Sequence, residues 1–255
     1  MKLKLMFISI VLLVSISCNK QDEDISQIID NVPSQICSDI TGVTGLYWDL
    51  SNGIPRSDIP GGVPTIKNAG GTFSHPVLPL LGFEYPAGYN VIALSNASTQ
   101  LVGVNVLRND NKALWRYYSN TFTGQSNAGQ VVEAELNTFL NGFGFTSGQV
   151  KLICSNSPSP QGISLLITTF ATMLVQAGNM TAQFVATVNY ASDLNVSFYN
   201  VQVCFAPSVE YEDVIMSAFL PIQWQLLYSG EGYQDSDGDG VADKNDNFPF
   251  DPTRQ

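Results

Sequence analysis

Five aspartates near the end of the chain have a spacing that suits one kind of chemistry. Asp235, Asp237, Asp239, Asp243 and Asp246 fall at positions 1, 3, 5, 9 and 12 of a single stretch, with Gly240 at position 6. A calcium ion takes six to eight hard oxygen ligands at about 2.3–2.6 Å. Alternate carboxylates in a tightly wound loop all point inward, and a glycine permits the sharp turn that brings the second half of the loop back. The carbonyl of Val241 would supply the oxygen at position 7. Asp246 stands at position 12 with a shorter arm than glutamate, so the backbone there must come closer. Without a cation, five negative charges at this separation repel, and the stretch has almost no apolar residues to pack. Binding of Ca²⁺ and ordering of the loop are therefore expected together.

This is the ligand spacing of an EF-hand-type loop, but helices are not expected around it. Residues 228–233 are glycine-rich, and Pro249 and Pro252 follow closely. The segment instead resembles a thrombospondin type 3 repeat. That family's D-x-D-x-D-G-x-x-D-x-x-D core, followed by Asn and a proline turn, is matched from Asp235 through Pro249. Phe248 stands where the family often has cysteine. The resemblance implies a calcium module over residues 231–255 and, by analogy alone, a part in adhesion or envelope structure.

The opposite end carries a second covalent signal. Lys2 and Lys4 precede an apolar run from Leu5 to Ile16 that is shorter than the roughly 18 residues needed to span a bilayer. It has the length of a signal-peptide core. The run ends in Val14-Ser15-Ile16-Ser17-Cys18, which resembles the lipobox of bacterial lipoproteins, with Ser15 where leucine is usual. The resemblance implies removal of residues 1–17, a diacylglycerol on the Cys18 sulfur and acylation of the new amino group. One chain binds a membrane only marginally, whereas two or three hold it stably. The expected place is the outer membrane or cell surface, with the membrane itself as partner through the lipid. Lys20 followed by Asp22, Glu23 and Asp24 resembles a surface-export signal, and residues 18–36 read as a linker.

Cys37, Cys154 and Cys204 remain once Cys18 is set aside, and none forms a C-x-x-C pair. One disulfide could form among the three in an oxidising compartment. Cys154 with Cys204 is the pairing expected, because both lie in or beside predicted strands. Three buried thiols are the alternative.

Catalytic constellations are sparse. His75 is the one histidine, so multi-histidine metal sites are excluded, and a Ser-His-Asp triad would have to use it from a Pro-rich loop. Gly142-Phe143-Gly144 follows a predicted helix rather than a strand, which is the wrong context for a dinucleotide loop. A hydrolase would need paired carboxylates. Glu133 and Glu135 diverge at i, i+2 of a helix, and Asp49 and Glu84 merely adjoin aromatic residues. Trp48, Trp115 and Trp224, with Arg116, Tyr117 and Tyr118, could form a sugar-stacking face if their rings were exposed; core positions are the commoner use of such residues. The readings that follow are a non-enzymatic surface lipoprotein, a glycan- or protein-binding one, and last a carboxylate-dependent hydrolase.

The elements that must position these groups lie mostly between residues 37 and 230. Apolar content of 44% supports a packed core, while charged residues are only 13%. The net charge of −11 comes with no basic cluster beyond the N-terminus, so nucleic acid is not an expected partner. Leu101–Leu107 and Ala113–Tyr118 flank Asn109-Asp110-Asn111, a hairpin signal. Ile163–Gln176, Met180–Tyr190 and Leu194–Phe205 are separated by Gly178-Asn179 and Ser192-Asp193, and read as an antiparallel meander. The first of these also fits helical periodicity, but its β-branched content favours strand. Val132, Leu136, Phe139 and Leu140 mark one helix. Tyr211, Val214, Ile215, Ala218 and Phe219 mark another, which Pro221 is expected to stop. Residues 42–88 read as long loops with short strands. The expected fold is mainly β: an antiparallel β-sandwich-like domain with two short helices, plus the C-terminal calcium loop.

Overall fold

The computed structural model describes residues 37–40, 44–45, 48–50, 54–56, 65–163, 165–227 and 253–254. Cys18, the expected lipidation residue, and Asp235, Asp237, Asp239, Val241, Asp243 and Asp246, the expected calcium ligands, lie outside the described residues.

The fold is mainly β and antiparallel. Two-residue strands β1 (Trp48–Asp49) and β2 (Ile54–Pro55) pair with each other, as do β3 (Ala69–Ser74) and β4 (Gly82–Pro86). The remaining strands are β5 (Tyr89–Asn96), β6 (Leu101–Arg108), β7 (Leu114–Thr123), β8 (Val150–Asn156), β9 (Gln161–Ile163), β10 (Leu166–Ala177), β11 (Met180–Ala191) and β12 (Val196–Pro207). They form one eight-stranded sheet in the order β5-β6-β7-β12-β11-β10-β8, with β9 on β10. The expected meander is β10-β11-β12, paired in unbroken register from Leu166↔Ala191 and Ala191↔Val196. Gly178, with φ of 55°, opens the two-residue β10–β11 turn, and a Cβ there would also lie 2.5 Å from the Phe145 ring. The expected strand over 163–176 is in fact two, β9 ending at Ile163 and β10 beginning at Leu166.

Alternation along the strands sends side chains to two cores. On one face Val201 and Val203 of β12, Phe184 of β11 and Met173 of β10 pack under helix α1 (Ala128–Phe143). The expected apolar stripe of Val132, Leu136, Phe139 and Leu140 is the buried face of that helix. Asn127 caps it: its side chain accepts from the Gln130 N–H while the Gln130 side chain accepts from the Asn127 N–H. Gly144, with φ of 69°, ends it in the left-handed region. The glycines of Gly142-Phe143-Gly144 thus serve a helix end.

On the other face Cys204, Trp115, Val104 and Leu174 meet Phe83 of β4 and the second helical segment. The small sheets and that helix form the layer opposite the large sheet, which makes the domain sandwich-like. The segment runs as α2 (Tyr211–Val214), a widened π turn (Ile215–Phe219) and α3 (Leu220–Leu227). Pro221 therefore does not stop the helix. In the wide turn the Leu220 N–H reaches Ile215 O, five residues back, which makes room for a ring that would otherwise press on the preceding turn.

The expected Cys154–Cys204 pairing is corrected. A disulfide joins Cys37 to Cys154 of β8, and Cys204 is a buried free thiol. Cys204 and Cys154 belong to strands separated by β11 and β10, so being in strands does not bring them together. The N-terminal part is held again at Thr44, whose N–H and hydroxyl donate to the two oxygens of Glu212 at 2.7 and 2.5 Å.

Candidate functional site

Arg116 and Tyr118, read from the sequence as part of a possible stacking face, meet Glu135, read as a possible catalytic carboxylate, beside α1. Arg116 and Tyr118 alternate on β7 so that both point to the α1 side, and Glu135 descends from the helix. The Tyr118 hydroxyl donates to Glu135 Oε1 at 2.5 Å, and Arg116 Nη1 lies 3.6 Å from Glu135 Oε2. Arg116 Nε donates to Asn105 Oδ1 at 2.9 Å, from the residue directly opposite on β6. Burial first, and then the charge of Glu135, push the Tyr118 hydroxyl well up, so the phenol stays a proton donor.

The network borders a groove of about 350 Å³ between α1 and the sheet, with Phe139, Phe143 and Phe205 among its apolar walls. Glu135 is the one carboxylate lining it. A glycosidase mechanism needs a second carboxyl group across from the first. Neither Glu133, Asp49 nor Glu84 lines this groove. Glu84 serves through its backbone, whose N–H donates to Gln225 Oε1 at 2.8 Å and whose carbonyl accepts from Gln225 Nε2 at 3.0 Å.

His75 has a structural use. It is fully buried, and its Nδ1 accepts from the N–H groups of Val77 and Leu78 at 3.2 and 3.1 Å. Two donors at Nδ1 place the ring proton on Nε2, which donates to Leu94 O at 3.1 Å. Both nitrogens are engaged, and the ring ties the loop after β3 to β5.

The tryptophans form no exposed platform. Trp48 and Trp115 are 0% and 1% exposed and Trp224 is 5%. Trp115 meets Phe83 edge-on and stacks with Tyr117 as part of the core. Among the described residues no group of three or more His, Cys, Asp or Glu is gathered as a metal site. Nor is any described helix long and apolar enough to cross a membrane.

No family model matches this chain, and no curated protein matches it. One solved structure it is similar to is the solution structure of cyanobacterial PsbP from Synechocystis sp. PCC 6803. That similarity has 13% identity, covers 62% of this chain and 90% of the other, and has a TM-score of 0.28. It carries no argument about function.

Proposed function

We propose that this chain is an exported lipoprotein, held by acyl chains on Cys18 at the outer membrane or cell surface, and that its β-rich domain acts without catalysis in adhesion or envelope structure. Its C-terminal loop takes Ca²⁺ through the side chains of Asp235, Asp237, Asp239, Asp243 and Asp246 and the carbonyl of Val241. The Cys37–Cys154 bond is the observation that supports export best. Such bonds persist in oxidising compartments and are rare where thiols are kept reduced. Its position supports the tether as well. Residues 19–36 separate the lipid site from Cys37 and span at most roughly 60 Å when extended. A pull passed along these residues arrives at Cys37, which is covalently joined to β8.

Labelling cells with radioactive palmitate tests the anchor. The chain takes up label and sediments with membranes, and Cys18→Ser abolishes both; label retained by that variant would refute lipidation at this residue. Protease applied to intact cells removes the domain if it faces outward. Calcium titration of the full chain tests the loop, with saturable uptake expected at a Kd on the order of 10⁻⁴–10⁻³ M. Asp237→Asn with Asp239→Asn should eliminate that uptake, and undiminished binding by the double variant would sink the assignment.

A further inference from the structure

The groove between α1 and the sheet holds two charges that do not satisfy each other. Arg116 Nε is fixed by Asn105, but Nη1 stands 3.6 Å from Glu135 Oε2, beyond a hydrogen bond, and Nη2 has no partner among the described residues. Glu135 Oε1 is taken by the Tyr118 hydroxyl, and Oε2 accepts no hydrogen bond from a described residue. Nη2 and Oε2 both keep accessible surface, and both residues line the groove. Donors and an acceptor thus stand side by side at an open space, their aim set by Asn105 and Tyr118.

The helix leaves that space unfilled. Glu135, Thr138 and Gly142 follow one face of α1 at three- and four-residue steps, and all three line the groove. Glycine weakens a helix relative to alanine. The backbone does not require it at Gly142, whose φ is not positive, and a Cβ there would meet nothing within 4 Å. A larger residue would fit and would narrow the groove. Apolar wall is supplied by Phe143 and Phe205, half-buried rings with centroids 5.1 Å apart.

The paired charges select the ligand. A carboxylate entering would meet Glu135 beside Arg116, and a cation would meet Arg116 beside Glu135, so either gives up its water and faces a like charge. A hydroxyl meets no such opposition. Its oxygen can accept from Arg116 and donate its own proton to Glu135 at once, across the 3.6 Å between them. A neighbouring hydroxyl on the same ring would accept from Nη2, and the C–H face of the ring would lie on the phenylalanine wall. We propose that this groove binds a neutral sugar residue, with vicinal hydroxyls held by Arg116 and Glu135. Its volume of about 350 Å³ is at the small end of ligand pockets, which fits the end of a glycan rather than a run of it. The inference does not rest on the lipid, the calcium loop or the adhesive reading, although it would give that reading a ligand.

The test uses the chain from residue 18 onward carrying Cys18→Ser, which avoids detergent. It is titrated with the methyl glycosides of glucose, galactose, mannose, fucose, N-acetylglucosamine and N-acetylgalactosamine, and with glucuronate, glucosamine and L-phenylalanine as charged probes. The readout is the NMR shift of the Arg116 Nε–H, assigned by its loss in Arg116→Lys. At least one neutral glycoside should shift that signal saturably, with every charged probe at least tenfold weaker. Glu135→Gln, which turns the acceptor into a donor, should weaken that glycoside at least tenfold. Gly142→Leu should do the same without lowering the thermal melt, which separates a filled groove from a misfolded one. No saturable shift with any of these glycosides would overturn the proposal, as would a charged probe binding as tightly or a Gly142→Leu protein that binds like the parent.

Discussion

At the scale of single residues, two groups of the described domain that could have done chemistry are used for structure. His75 is one, and its role depends on two backbone N–H groups meeting one ring nitrogen, which spacing cannot reveal. Cys204 is another. Its sulfur lies 3.6 Å from Gln183 Oε1 and 3.9 Å from the Tyr211 hydroxyl, and burial pushes the thiol from an ordinary value near 9 up to about 12. Because the folded-state value lies above the unfolded one, the folded protein binds the extra proton at alkaline pH. Its contribution to stability is full below about pH 9 and is lost as pH climbs toward 12. Tyr211 and Tyr118, both pushed up by burial, act in the same direction above pH 10. Urea unfolding should therefore show stability falling from pH 8 to pH 10, and Cys204→Ala should lessen that fall. An equal fall in the variant would mean that the thiol titrates normally. At pH 8 the native protein should also resist iodoacetamide at Cys204, since the thiolate is the reactive form.

Elements were more legible than sites, because period and turn chemistry are local. The β10-β11-β12 hairpins follow from Gly178-Asn179 and Ser192-Asp193, and α1 follows from its 3.6-residue stripe. What stayed hidden depends on distance along the chain. Arg116, Tyr118 and Glu135 were each visible by type, but their meeting requires α1, which lies mainly over β10 and β11, to turn Glu135 toward β7. The π turn was hidden because a proline in a helical pattern signals a stop unless the turn before it widens. The disulfide was hidden because three cysteines allow three pairings. The element that fixes the groove is α1, and its pivot is Phe139, whose ring meets Phe143, Phe145, Phe184 and Phe205 at centroid distances of 5.2–6.2 Å. Phe139→Ala should cost about 3–5 kcal/mol. Chemical denaturation measures that, and a loss under about 1 kcal/mol would mean that α1 does not seat on the sheet as described.

For the whole molecule, the question is how a sheet with two cores stays joined to what precedes it. The α1 core is built from elements contiguous in sequence, from residue 118 to 205. The opposite core includes Cys37, Trp48 and Leu50, from a region whose described strands are two residues long. Such strands have too few ladder bonds to persist alone. The cross-link supplies what they lack. Cys37 and Cys154 are 117 residues apart, and closing a loop of that order restricts the unfolded chain by about 4–5 kcal/mol in the chain-entropy account. Cys37→Ser and Cys154→Ser should therefore destabilise the protein alike, by up to that amount, in urea at neutral pH. Cys204→Ala should keep the bond, seen as an unreduced mass and one fewer free thiol after unfolding. If Cys37→Ser left stability unchanged while Cys204→Ala removed the bond, the pairing would be Cys154 with Cys204. The tether would then join the sheet only through contacts such as Thr44 with Glu212, and the mechanical argument for an anchored domain would fail with it.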